Sequence, residues 1–181
     1  RRQRYGRREK TGLPIISIVG YTNAGKSTLL NTLTQSSVLA EDKLFATLDT
    51  KSARLRFPRD TEAIITDTVG FIRDLPEELF TAFRATLDEL FEADILLHVI
   101  DASNAQFEDQ IAAVEKILTD LEIHDRPTIR VLNKSDRVAD KELLKHLCRR
   151  LDAVAVSALD KKTLFALMEK IESVLPRKDD F

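Results

Sequence analysis

Gly20-Tyr21-Thr22-Asn23-Ala24-Gly25-Lys26-Ser27 decides how this chain is read: a glycine, four residues, a second glycine, then lysine and serine. That spacing fits a loop whose backbone amides wrap phosphate groups. Its flanks agree. Ile15-Ile16-Ser17-Ile18-Val19 is an apolar, β-branched run suited to a buried strand, and Leu29, Leu30 and Leu33 recur afterwards at helical spacing. A loop between strand and helix meets phosphate with backbone amides and with the positive end of the helix dipole. Gly20 and Gly25 allow close approach, Lys26 carries charge for the β- and γ-phosphates, and Ser27 offers a hydroxyl to Mg²⁺. Tyr21, Thr22, Asn23, Ala24 and Thr28 are the remaining residues expected to line the nucleotide here.

Beyond the first helix, residues 34–50 show no sustained period of 2 or 3.6, and a connection of that length inside a domain is usually functional. Residues 52–57 alternate, with Ala53, Leu55 and Phe57 on one face and Ser52, Arg54 and Arg56 on the other, as expected of a half-exposed edge strand. Pro58-Arg59-Asp60 forms a turn and Ala63-Ile64-Ile65 the returning strand, so the pair reads as an antiparallel hairpin. The second strand ends in Asp67-Thr68-Val69-Gly70, and Pro76, Glu77 and Glu78 start a helix striped by Leu79, Phe83, Leu87 and Leu90. A buried strand over 95–100, a helix from Phe107 to Leu121, a strand over 128–132, a helix capped by Asp140, a strand over 153–156 and a last helix ending near Pro176 follow. This alternation predicts an α/β domain: a mainly parallel six-stranded sheet with one antiparallel edge strand and helices on both faces.

At 181 residues, 43% hydrophobic and 32% charged, the chain suits one globular domain and shows no apolar run of membrane-spanning length. A lone cysteine, Cys148, excludes an internal disulfide and fits a cytoplasmic location. His98, His124 and His146 lack metal-ligand spacing; a packed strand histidine and two surface ones are expected. The net charge is −2, but the first ten residues hold six basic side chains and one acidic, leaving the remainder at −7. Two readings of this basic head stay open: an RNA-phosphate contact, or a linker or frayed helix end. The chain starts at Arg1 without methionine, so excision from a longer protein is expected, with residues 1–12 a linker or the end of a missing domain, 13–176 the nucleotide-binding domain and 177–181 a tail.

The phosphate loop does not separate ATP from GTP, whereas Asn133-Lys134-Ser135-Asp136, at the carboxyl end of a strand, does. The Asp136 carboxylate can accept from guanine N1–H and the 2-amino group, a donor pair adenine lacks. Asn133 and the Lys134 stem would support the base, Ser157-Ala158 would supply a backbone amide to its O6, and Leu159 is the next residue expected to line the nucleotide. Such a site discriminates by leaving buried groups unpaired with the wrong base.

These motifs, with Thr47, resemble the full set of a translation-factor-related GTPase over residues 13–175. More narrowly, Gly20 to Ser27, Leu44-Phe45-Ala46-Thr47-Leu48-Asp49 and Asp67-Thr68-Val69-Gly70-Phe71-Ile72-Arg73 resemble the HflX family of bacterial ribosome-associated GTPases. The resemblance implies that Thr47 closes onto Mg²⁺ and γ-phosphate, that Asp67 holds the metal through water, and that the Gly70 amide senses γ-phosphate. It also implies switches over 34–50 and 68–76, a further N-terminal domain whose last, basic segment would correspond to residues 1–10, and GTP- or GDP-dependent binding to the large ribosomal subunit; rRNA contact through the basic head stays one of the two open readings. Lys26, Thr47, Gly70 and Asn23 are then the residues expected to act on hydrolysis. Asn23 stands where several potassium-stimulated GTPases carry asparagine; holding K⁺ and bracing the loop are both open roles. Phe71 stands where Ras carries its water-orienting glutamine, which predicts a slow intrinsic rate and stimulation by a partner. A nucleotide-gated binding module with incidental hydrolysis is the alternative, and Asp136 disfavours an ATP-driven enzyme.

Overall fold

Strand β1 (Ile15–Gly20) is buried along its whole length, as an unbroken apolar run requires of a central strand. In the computed structural model, which describes residues 12–21, 23–36, 52–67 and 88–176, it pairs in parallel with β3 (Glu62–Asp67) on one side and β4 (Ile95–Asp101) on the other. Strand β2 (Ser52–Arg56) lies antiparallel to β3 at the edge, and β5 (Thr128–Asn133) and β6 (Ala153–Ala155) extend the sheet in parallel beyond β4. The six-stranded order is β2-β3-β1-β4-β5-β6. The expected hairpin and single antiparallel edge are present, with Asp60 in the turn at φ 62°.

Strand register decides which side chains reach which helices. Ile18, Leu97 and Ile129 are register partners across three strands and join one core with Val99 and Val131. That face is covered by α1 (Lys26–Ser36), through Leu29, Leu30 and Leu33, and by the last helix (Leu164–Val174), through Leu164, Leu167, Met168 and Ile171. Residues one step along point to the opposite face. There Val19 and Leu96 pack with Leu90, from the short α2 (Asp88–Phe91), and with Val114 and Leu118 of α3 (Phe107–Asp120). Ile100 and Leu132 pack with Leu144 and Leu147 of α4 (Lys141–Leu151). The last helix is α5 in this numbering. Each fully buried leucine or isoleucine contributes about 1.5–3 kcal/mol, so the two-sided burial gives the sheet a rigid centre.

Local signals act where expected. Asp140 caps α4, its carboxylate accepting from the Glu142 and Leu143 amides at 3.0 Å each. His98 is buried in β4 while His124 and His146 are exposed. Strands β1, β3, β4 and β5 all end on the same edge of the sheet, since Ile18 pairs with Asp67, Gly20 with Val99 and Asp101 with Asn133. The chain runs from β1 to β3 on one side and then to β4 on the other. This edge is therefore the topological switch point at which open α/β sheets bind ligands. Thr22, the 37–50 stretch with Phe45 to Asp49, the 68–76 stretch with Thr68, Val69, Gly70 and Phe71, the helix start at Pro76 and the basic head lie outside the described residues.

Candidate nucleotide site

The phosphate loop leaves β1 at Gly20, where there is no room for a side chain: a Cβ would lie 2.5 Å from the Val99 carbonyl oxygen of β4. Gly25 is constrained twice. Its φ is +96°, and a Cβ would come within 2.3 Å of Asn133 Nδ2. The second glycine thus admits a neighbouring side chain as well as giving the loop its curvature. Ala24 N–H closes the turn on Tyr21 O at 3.2 Å, and Leu29 N–H on Gly25 O at 2.9 Å starts α1. Asn23 takes φ 65°, a left-handed conformation that asparagine tolerates better than most residues.

Lys26 is buried, with Nζ donating to Tyr21 O at 3.4 Å. Burial pushes its pKa below the ordinary lysine value, with the Asp67 carboxylate opposing. Among the described residues the buried ammonium makes one long hydrogen bond, and anionic phosphate oxygens would satisfy it further. Ser27 Oγ donates to Asp67 Oδ2 at 2.8 Å. The other carboxylate oxygen, Asp67 Oδ1, is buried without a hydrogen-bond partner among the described residues. A hard divalent cation or its water shell would satisfy that oxygen, and the Ser27 lone pairs stay available because its proton points to Asp67. These residues fit Mg²⁺. It takes few protein ligands beside phosphates, so the absence of a cluster of three acidic, histidine or cysteine side chains among the described residues is no obstacle.

At the end of β5, Asn133 joins three loops. It is 1% exposed; its Nδ2 donates to Ala24 O at 2.9 Å and its Oδ1 accepts from Ala158 N–H at 3.0 Å. Both polar ends of the amide therefore hold protein loops. Lys134 adopts φ 58°, unusual for lysine, and its Nζ donates to Asn23 O and to Asp101 Oδ2, each at 2.9 Å. Ser135 N–H donates to Val156 O at 3.1 Å, and Asp136 sits exposed in the short 3₁₀ turn Ser135–Arg137. Ser157 and Ala158 are buried beside Asn133, with Leu159 next in line and 80% exposed.

The structure thus brings Gly20 to Ser27, Asp67, Asn133 to Asp136 and the 157–159 loop to one edge. Asp101 was not among the residues picked from sequence. Burial opposes its charge, but hydrogen bonds from Ser103 and Lys134 outweigh that and hold its carboxyl below the usual range. Its signal was present: an acid at the last position of its strand, the position Asp67 takes in β3. Cys148 is half-buried with its thiol pKa pushed up, chiefly by burial, so it has no nucleophilic character.

Sheet order, glycine-rich turn, buried lysine and strand-end Asn-Lys-Ser-Asp define a phosphate-loop nucleotide-binding domain. The chain belongs to the 50S ribosome-binding GTPase family, whose family model matches residues 15–134. It is similar to the GTPase HflX of Alkalihalophilus pseudofirmus, 45% identical over 175 residues, covering 96% of this chain and 41% of that protein. The GTPase HflX of Caldanaerobacter subterraneus is 48% identical over 169 residues, covering 93% of this chain and 38% of that protein. The chain therefore spans about two-fifths of the length of these relatives. Among solved structures, a GTP-binding protein from Sulfolobus solfataricus in complex with GDP superposes with a TM-score of 0.74 at 28% identity, covering 92% of this chain and 53% of that one. No helix among the described residues is long and apolar enough to cross a membrane.

Proposed function

We propose that residues 13–176 form the G domain of an HflX-type GTPase, a GTP-binding and GTP-hydrolysing switch that controls attachment to the large ribosomal subunit in the cytoplasm. The observation that carries this is Asn133, which ties the phosphate loop to the 157–159 loop while Lys134 braces Asn23. Phosphate and base recognition are thereby one rigid unit. Lys26 and the loop amides hold the β- and γ-phosphates and neutralise their charge. Ser27 and Asp67 would hold Mg²⁺, with Thr47 joining them. The metal, when bound, offsets charge on the β- and γ-phosphate oxygens. Asp136 accepts from guanine N1–H and the 2-amino group. Hydrolysis is in-line attack of water on the γ-phosphate. Phe71 cannot orient that water, so a partner, a switch rearrangement or a K⁺ beside Asn23 finishes the site.

Single-turnover GTP hydrolysis by the full-length protein, with and without purified large subunits, tests this reading. Slow turnover that subunits accelerate is expected. A fast rate that subunits leave unchanged would contradict it.

A further inference from the structure

The loop after β6 is fastened at almost every backbone group. Ser157 N–H donates to Thr163 Oγ1 at 2.9 Å, and Ser157 O accepts from Asp160 N–H at 2.9 Å. Ala158 is clamped at both ends: its N–H by Asn133 Oδ1 at 3.0 Å, its C=O by the Thr32 hydroxyl at 2.5 Å. The next amide, Leu159 N–H, has no hydrogen-bond partner among the described residues. Thr32 lies on α1, less than two turns from Lys26, and 126 positions from Ala158 in sequence. Its hydroxyl has a single proton, and it lies within hydrogen-bond distance of Ala158 O at 2.5 Å and of Thr28 O, within its own helix, at 2.9 Å. The shorter distance favours the bond to Ala158 O. This departs from the ordinary habit of a helical threonine, which bonds back to its own preceding turn.

We infer that Thr32 is a positioning residue for base selection: by holding the Ala158 carbonyl it sets the loop whose unbonded Leu159 N–H meets the 6-carbonyl of the purine. A 6-oxo group accepts from that amide, whereas the 6-amino group of adenine would set donor against donor. Asp136 meets different atoms of the base, N1–H and the 2-amino group, so analogues altered at position 6 or at position 2 separate the two contacts. The inference rests on the guanine reading above and adds the residue that governs its second contact.

The test uses three diphosphates on the 181-residue chain and its Thr32→Val and Thr32→Ser variants, with dissociation constants from fluorescence titration. In 6-thioguanosine diphosphate, sulfur, a weak acceptor, replaces O6 while N1–H and the 2-amino group remain. Inosine diphosphate keeps O6 and lacks the 2-amino group. Thr32→Val should lower the preference for GDP over the 6-thio analogue about fivefold, the equivalent of one net hydrogen bond, and leave the preference for GDP over inosine diphosphate unchanged. Thr32→Ser restores the hydroxyl and should behave as the parent chain. An unchanged 6-thio preference in Thr32→Val, or an equal fall in both preferences, overturns the inference, the latter by showing general loosening of the site. Absence of GDP binding by the parent chain would instead overturn the guanine reading itself, and this inference with it.

Discussion

Replacing Asn133 with alanine should separate the two halves of the site. The side chain is 1% exposed and makes two buried hydrogen bonds, to Ala24 O at 2.9 Å and from Ala158 N–H at 3.0 Å. Truncation strands one carbonyl and one amide. At about 1–3 kcal/mol for each unsatisfied buried group, the loss is about 2–6 kcal/mol. Gly25 packs directly against the lost amide, so the phosphate loop also gains space to move. For a domain of this size, with each kcal/mol worth about 2–4 °C, the melting temperature should fall by about 4–24 °C. Differential scanning calorimetry in the absence of nucleotide measures this, with Asn133→Asp retaining the shape and one acceptor. A melting temperature within about 1 °C of the parent would refute the idea that Asn133 is the tie between loops.

Three further outcomes follow from the same geometry. His98 is 2% exposed and its pKa is pushed down from 6.5 to about 4, first by burial and then by the Arg130 charge. The unfolded chain therefore takes up a proton below pH 6.5 that the folded one refuses until about pH 4, and stability falls with pH across that window. By pH 5 the loss is about 2 kcal/mol, and urea titrations at pH 7 and pH 5 should show it in the parent and not in His98→Phe. Lys26→Met removes a charge that burial disfavours, so the nucleotide-free protein should melt at a higher temperature while losing nucleotide binding; a lowered melting temperature would contradict this. Asp136→Asn should weaken GTP binding and favour xanthine nucleotide, whose 2-carbonyl accepts where guanine donates; unchanged GTP preference removes Asp136 from the base site.

Sequence patterns exposed those features that depend on near neighbours. The alternation of residues 52–57 gave the edge strand, the Asp140 position gave the α4 cap, and the uninterrupted apolar character of residues 15–19 gave the central strand. Motif spacing then located the sheet edge on which the site stands. What remained hidden were contacts between distant residues. Asn133 and Ala24 are 109 positions apart, Lys134 and Asn23 are 111, and Thr32 and Ala158 are 126. No local period encodes such pairs; strand order and register bring them together. Asn133 is the clearest example, since its type and position suggested support for a base, and the ties of its two polar ends to neighbouring loops had no local signal. Thr32 carried no signal at all, being one threonine among several on a helix whose apolar face alone had a pattern.

The central claim is that this sheet edge binds guanine nucleotide, and calorimetric titration of the purified chain with GDP and with ADP, in Mg²⁺, tests it most directly. A site built around the Asp136 carboxylate and a loop amide should bind GDP at least about 10⁴-fold more tightly than ADP. Equal affinities, or binding of neither, would contradict the account.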